Sequence, residues 1–136
     1  MVALFDNDTA ASEAARPIER ITLPKNVAVL RYPALESLRS YPTIGPTGTG
    51  PFDVNGLAGS IEMYLGKDIL SSDHPVKWKG FSESMRAYQG EVMHKASLQE
   101  KFWEKVERCK ANPDLMESTD WAGLDQIWKS IFAAFD

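Results

Sequence analysis

The chain has 136 residues, a formal net charge of −4, 43% hydrophobic residues and 25% charged residues. These proportions are ordinary for one folded domain with its own core and argue against intrinsic disorder. Its apolar runs are too short for a membrane-spanning helix, and the acid at position 6 comes too early for a secretory signal peptide. The single cysteine, Cys109, excludes an intramolecular disulfide and predicts a buried thiol in a cytoplasmic protein.

The amino-terminal third predicts a β-α-β unit. Val2 to Phe5 and Val27 to Leu30 are short apolar runs, typical of strands that are buried on both faces of a parallel sheet. Between them, Thr9 to Arg20 is rich in alanine, and Asp8 or Thr9 can cap the first amides of a helix. Strand, helix and strand in succession predict two parallel strands with a right-handed crossover, and hence an α/β fold.

The middle of the chain contains many turn residues. Tyr41 to Asn55 predicts a long loop, because prolines and glycines recur there at short intervals. Gly56 to Leu65 predicts a helix with apolar residues at four-residue spacing. Asp68 to Gly80 predicts irregular structure with a short strand near Val76 to Trp78, whereas Phe81 to Met93 is compatible with either a helix or a strand.

Two helices are predicted at the carboxyl end. Ser97 to Glu100 has the pattern of a capping box, and Asp120 can cap the last helix. The apolar face of that helix consists of Trp121, Leu124, Ile127, Trp128, Ile131, Phe132 and Phe135. Core packing is the expected role of this face, with a partner-binding surface as the alternative. We expect one domain over residues 1–136, with 1–70 as its α/β part and 96–136 as its helical end.

Two aspartates follow the first predicted strand. Asp6 and Asp8 lie where ligands bind in open α/β sheets, at the carboxyl end of a strand and before a helix. Carboxylate oxygens separated by one residue can reach one divalent ion, and Mg²⁺ and Mn²⁺ prefer oxygen ligands. The alternative is structural, in which Asp6 ends the strand and Asp8 caps the helix.

This order of elements resembles the Toprim domain, which topoisomerases, bacterial primases and nucleases of the overcoming-lysogenization-defect family share. In those nucleases an acid-Ile-Glu-x-Tyr-Leu segment follows the second strand, and here a similar segment reads Ser60-Ile61-Glu62-Met63-Tyr64-Leu65. The resemblance is nearest to Toprim regions of bacterial proteins that join a HEPN module to Toprim, and it covers most of the chain. It implies a partial Toprim-like parallel sheet with flanking helices.

The resemblance also implies the roles of individual residues. Asp6, Asp8 and Glu62 would be ligands of Mg²⁺ or Mn²⁺, with Asp53 as a weaker candidate. Lys95 would be the catalytic basic residue that neutralises charge in the transition state. The activity implied is hydrolysis of a nucleic-acid phosphodiester, with DNA as the favoured substrate.

One part of the Toprim signature has no counterpart. That signature opens with a strand and a glutamate that acts in acid–base chemistry, and nothing before Asp6 can supply the glutamate. We therefore expect an incomplete Toprim domain with little or no nuclease activity by itself. The remainder would belong to an amino-terminal half or to a partner chain.

Two other interpretations stay open. Asp6-Asn7-Asp8-Thr9 also fits the start of a haloacid dehalogenase-like phosphatase, with Asp6 as nucleophile, although the late acids Asp120 and Asp125 lie in a helical pattern. A non-catalytic domain that associates through its apolar face, including with a second copy, is the third interpretation. His74 and His94 lie far apart in the sequence and predict no metal site.

Overall fold

The computed structural model describes residues 1–136, which form eight strands and three α-helices. The strands are β1 (Val2–Phe5), β2 (Asn7–Asp8), β3 (Ala28–Arg31), β4 (Tyr41–Ile44), β5 (Thr49–Phe52), β6 (Ala58–Gly59), β7 (Val76–Ser82) and β8 (Ala87–Val92). The helices are α1 (Thr9–Ala15), α2 (Lys95–Ala111) and α3 (Ala122–Phe132). The fold is therefore mixed α/β, and none of its helices has the length and apolar character needed to cross a bilayer.

The predicted β-α-β unit is confirmed. Strands β1 and β3 are parallel, with Val2 opposite Ala28 and Phe5 opposite Arg31. Helix α1 ends at Ala15 rather than at Arg20, because Pro17 has no N–H to continue the helical hydrogen bonds. The prediction that both strands are buried on both faces is wrong. Their sheet has only these two strands, so every residue of both keeps some exposure.

The predicted loop over 41–55 is instead a hairpin of β4 and β5. Pro42 stands opposite Pro51, an arrangement that suits antiparallel positions where neither strand donates an N–H to the other. The ambiguous segment 81–93 is also extended and belongs to the hairpin of β7 and β8. Together these strands form a sheet in the order β5-β4-β7-β8, in which only the β4–β7 pair is parallel.

The predicted helix over 56–65 is wrong. Ala58 and Gly59 form β6, which pairs with β2, and Ile61–Tyr64 is a single 3₁₀ turn. Gly59 lies directly against Asn7, and a Cβ at this position would lie 2.7 Å from the carbonyl oxygen of Asn7. Long-range pairing with β2 therefore overrides the local helical periodicity.

A single core cluster joins the four-stranded sheet to the helices and the 3₁₀ turn. Its members are Leu35, Leu38, Tyr41, Val54, Ala58, Met63, Tyr64, Leu65, Ile69, Val76, Val92, Leu98 and Ile127. Cys109 is buried, as predicted. The turn 61–64 contacts α2, α3 and β6. These three elements enclose the residues around Glu62.

Both terminal helices are confirmed, with one wrong detail. Helix α2 begins at Lys95, before the proposed capping box, and the Ser97 hydroxyl faces His74 Nε2 at 3.3 Å instead of capping a helix. Asp120 does hold the start of α3, because its Oδ1 accepts a hydrogen bond from the Ala122 amide at 3.0 Å.

The aromatic face of α3 is only partly buried. Ile127 lies in the core, but Trp128 is 57% exposed and Phe132 is 74% exposed. The two exposed rings stack on each other with centroids 6.1 Å apart. The prediction of core packing is therefore correct for the inner edge of this face and wrong for its outer edge.

Lys105 is a fully buried cation in α2. Its ammonium donates to the Leu65 carbonyl and to the Asp68 carboxylate, each at 2.9 Å, and to the Asp120 carbonyl. It also lies 4.4 Å from the centre of the Trp121 ring. One side chain thus ties together the segments that lead into and out of the terminal helices.

Replacement of this cation should destabilise the fold strongly. Lys105→Met keeps most of the stem but leaves Asp68 and two carbonyls without their donor, so we expect a loss of about 3–5 kcal/mol in the free energy of unfolding. Urea denaturation followed by circular dichroism measures it. Lys110→Met, which removes an exposed pair with Glu107, should change stability by less than about 1 kcal/mol. Equal losses of stability in the two variants would contradict the role of Lys105 in holding these segments together.

Candidate functional site

Between β1 and α1, Asp6 and Asp8 lie on either side of the buried residue Asn7. The Asn7 side chain donates to the Tyr64 hydroxyl at 3.2 Å and to Asn55 Oδ1 at 3.4 Å. Because side chains alternate along an extended segment, Asp6 and Asp8 point away from Asn7. Burial of Asn7 therefore directs both aspartates to one side of the chain.

Asp8 has the structural role that its position before α1 suggested. Its Oδ1 accepts from the Ala11 amide at 2.7 Å and so caps the helix. Its Oδ2 accepts from Gln89 Nε2 at 3.1 Å. These two bonds fix the direction of the carboxylate but leave each oxygen with a free lone pair.

Glu62 is the most enclosed acid of the chain, with 6% of its surface exposed. Its Oε1 accepts from Gln99 Nε2 at 3.1 Å, and its Oε2 lies 3.9 Å from the Lys95 ammonium. Neither Oε2 nor the buried Ser60 hydroxyl has a hydrogen-bond partner. Buried polar atoms without partners are rare in folded proteins, and each calls for a physical explanation such as strain, a functional role or a bound ion or water.

A cleft of about 190 Å³ lies between α1, β8 and the start of α2. Its lining consists of Asp6, Asp8, Ala10, Ser60, Lys79, Gln89, Gly90, Glu91 and Lys95. Glu62 adjoins it through Lys95. Four carboxylates and two ammonium groups therefore share this region, which leaves a local excess of negative charge.

The excess of negative charge affects the pKa values of the acids. Burial raises the pKa of Asp6, and the nearby carboxylates of Asp8 and Glu62 raise it further, against an opposing effect of Lys95. Burial also disfavours the charge of Glu62. Its polar neighbours outweigh that effect and lower its pKa, among them a Ser60 hydroxyl that falls short of hydrogen-bond geometry.

A chain of ion pairs crosses the cleft. Lys95 binds Glu91 at 3.1 Å, and Glu91 also pairs with Lys79. Hydrogen bonds from Lys79 and Lys95 lower the pKa of Glu91. No three acidic, histidine or cysteine side chains are arranged to enclose a metal ion as they stand.

Four of the five residues singled out in the sequence come together. Asp6, Asp8 and Lys95 line the cleft, and Glu62 adjoins it. Asp53 does not reach this region; it is exposed, and its carboxylate accepts from the backbone and side chain of Asn55 at 3.1 and 3.0 Å.

The sequence did not predict the residues that β7 and β8 contribute to the cleft. Lys79, Gln89 and Glu91 line the cleft but lie in segments whose predicted structure was irregular or ambiguous. The alternation of Gln89 and Glu91 with Tyr88 and Gly90 is a strand signal that could have revealed them.

The late acids named for a phosphatase lie elsewhere. Asp120 accepts from the Lys67 amide at 2.7 Å, and Asp125 pairs with Lys129 on the exposed side of α3. Neither lines the cleft of Asp6.

The histidines, distant in sequence, are neighbours in the fold. Their ring centroids are 6.4 Å apart. His74 is buried between the hydroxyls of Ser71 and Ser97, while His94 is exposed. Burial, aided by Lys101, lowers the pKa of His74 and so favours its neutral form.

The acidic cluster predicts a specific dependence of stability on pH. The pKa of Asp6 is raised in the folded protein, so its protonated form stabilises the fold. That contribution is complete below the ordinary pKa of 3.8 and is lost as the pH rises through the raised pKa. Asp6→Asn, which removes the repelling charge, should therefore raise the melting temperature at pH 7, and the gain should disappear near pH 3. Calorimetry across this range measures it.

Glu117→Gln is the matched control, because Glu117 is exposed and forms no ion pair. It should leave the melting temperature nearly unchanged at both pH values. A lower melting temperature of Asp6→Asn at pH 7 would show that Asp6 is held by favourable contacts and not by enforced proximity to other acids.

Comparison with known proteins identifies no relative: no family model, no curated protein and no solved structure matches the chain. Its function must therefore be inferred from the chemistry of the cleft.

Proposed function

We propose that the cleft binds Mg²⁺ or Mn²⁺ through Asp6, Asp8 and Glu62, and that the bound ion serves hydrolysis of a nucleic-acid phosphodiester. The observation that carries this proposal is the buried Glu62 Oε2, which lacks a hydrogen-bond partner and lies close enough to raise the pKa of Asp6. The Lys95 ammonium, 3.9 Å away, offsets part of its charge, and a buried carboxylate oxygen that accepts no hydrogen bond can take a metal ion as a further partner.

The chemistry of the donors fits a hard divalent cation. All three proposed ligands offer carboxylate oxygens, and the Ser60 hydroxyl adds a neutral one. The cluster has excess negative charge, which a divalent ion would balance. The adjacent ammonium of Lys95 would then be released from Glu62 toward Glu91, which already binds it at 3.1 Å.

Residues of the chain would hold and orient the substrate. Mg²⁺ would polarise the phosphodiester and stabilise the charge that develops on it. Lys95 and Lys79 both line the cleft and can donate to phosphate oxygens, while Glu91 between them sets their spacing. Asp8 is held by Ala11 and Gln89, so its oxygens keep a constant direction.

The Toprim resemblance supports the same function. The parallel pair β1–β3 with α1 between them, and Asp6 at the carboxyl end of β1, are compatible with part of a Toprim-like sheet. Binding of the ion is the direct readout of this proposal.

Ion affinity should depend on the three carboxylates. We expect Asp6→Asn and Glu62→Gln each to weaken Mn²⁺ binding by at least about tenfold, because each removes a charged ligand. Titration of Mn²⁺ followed by electron paramagnetic resonance measures the free ion directly. Asp53→Asn is the matched control and should bind as the unaltered protein does. If the control loses as much affinity as the other two, the ligand set is wrong.

Lys95 should affect binding and hydrolysis in opposite directions. Lys95→Met removes the ammonium that now lies beside Glu62, so Mn²⁺ should bind more tightly. The same variant should hydrolyse an activated phosphodiester such as bis(p-nitrophenyl) phosphate more slowly, wherever the unaltered protein shows a rate, because a donor to phosphate is lost. Weaker ion binding by Lys95→Met would contradict this arrangement.

A further inference from the structure

The two-stranded sheet of β1 and β3 has an edge at β3 that no further strand covers. On the other side of β3, the Tyr32 amide donates to the Phe5 carbonyl at 3.0 Å, and so faces β1. Because alternate residues of a strand direct their backbone groups to opposite edges, the N–H and C=O groups of Val29 and Arg31 point away from β1. None of these backbone groups forms a hydrogen bond with another part of the chain.

A groove of about 360 Å³ runs along this edge. Three consecutive residues of β3 line it, Val29, Leu30 and Arg31. Neighbouring side chains of a strand point to opposite faces, so a groove that contacts all three lies against the edge of the strand and not against one face. The other edge is occupied by β1, which contributes no residue to the groove. The unpaired backbone groups therefore form one wall of the groove.

The opposite wall of the groove is largely apolar. It is formed by the end of α1 and the segment after it, and its apolar residues are Ala15, Ile18, Ile21 and Leu23. Ile21 is 60% exposed, although isoleucine is among the residues most often buried in folded proteins. Free backbone donors and acceptors on one side and apolar side chains on the other fit a β-strand, because an added strand supplies matching backbone groups together with side chains at alternate positions.

The surroundings of the groove are basic. Residues 16–31 contain one acid and four basic residues, which are Glu19 and Arg16, Arg20, Lys25 and Arg31. Glu19 lies 3.7 Å from Arg31 in an ion pair. The other three basic residues are exposed and form no ion pair. Asp136 follows the turn 133–135, which contacts β3, and even with this acid the count is four basic residues against two acids.

This charge distinguishes between two kinds of strand. A second copy of the chain that paired through the same edge would bring two basic surfaces together, and like charges across a strand pair are destabilising. An acidic strand instead places its carboxylates beside Arg16, Arg20 and Lys25. Charge complementarity therefore favours an acidic partner over a second copy.

We propose that this groove binds an extended acidic segment of another protein, which adds to β3 as a third strand of the sheet. The backbone groups of Val29 and Arg31 bond to the added strand, and Ile18 and Ile21 contact its apolar side chains. The inference does not rest on the proposed metal function, because the groove and the acidic cleft share no residue.

The test uses a fluorescently labelled peptide of about eight residues in which glutamate and valine alternate, with binding followed by anisotropy at low salt. The peptide should bind the unaltered protein at concentrations below about 1 mM. A peptide with lysine in place of glutamate is the charge-reversed control and should bind at least about tenfold more weakly.

Two variants test the two walls of the groove. Val29→Pro removes one edge N–H and places a ring in the path of the added strand, so affinity should fall by at least about tenfold. Val2→Pro is the matched control, because it removes an outward N–H from the opposite edge of the same sheet and should bind normally. Ile21→Asp should weaken binding by at least about fivefold, whereas Met116→Asp, at an exposed site outside the groove, should not.

Proline is tolerated at the free edge of a strand, so Val29→Pro should keep the circular dichroism of the unaltered protein. If it does not fold, Ile21→Asp decides, since that side chain is exposed. The proposal is overturned if the acidic peptide does not bind at about 1 mM protein, if the lysine peptide binds equally well, or if Ile21→Asp binds as the unaltered protein does. A dimer that Ile21→Asp converts to a monomer in sedimentation would assign the groove to a second copy of the chain instead.

Discussion

The arrangement of the acidic cleft depends on one buried hydrogen bond, between the Asn7 side chain and the Tyr64 hydroxyl. Asn7 lies between the two aspartates, and Tyr64 lies two residues after Glu62. The bond therefore joins segments more than fifty residues apart and sets the distance between their carboxylates. Burial raises the pKa of Tyr64 to about 12, so its hydroxyl keeps the proton that it donates to the Pro33 carbonyl at 2.6 Å.

Like charges that the fold holds close together lower its stability, and they therefore indicate a functional site. A raised pKa for Asp6 means that the fold holds this carboxylate in a position that disfavours its charge. The nearby lysines compensate only in part, since Lys79 and Lys95 are shared with Glu91. Stability comes from elsewhere, above all from the core cluster and from the buried Lys105 that joins three segments.

The two halves of the cleft come from different kinds of sheet. Asp6 and Asp8 follow a parallel β-α-β unit, whereas Lys79, Gln89 and Glu91 belong to an antiparallel hairpin. The short pairing of β2 with β6 brings them together, and Gly59 permits this pairing because it has no side chain to meet Asn7.

Local sequence patterns were sufficient for the elements whose neighbours in the chain are also their neighbours in space. The β1-α1-β3 unit, the two terminal helices and the burial of Cys109 follow from periodicity, capping residues and composition. The pairing of Asp6 with Asp8 also follows from their spacing. These are short-range properties, and tertiary contacts did not override them.

Only the tertiary structure decided the rest. The residues around Glu62 have helical periodicity, yet they form a strand and a 3₁₀ turn because β2 and the flanking helices enclose them. The prolines of β4 and β5 predict a loop, and only the strand pairing shows that they belong to a hairpin. Whether Lys79 and Glu91 lie at the cleft depends on how β7 pairs with β8. Strand pairing and register are long-range properties, and no local pattern in the sequence determines them.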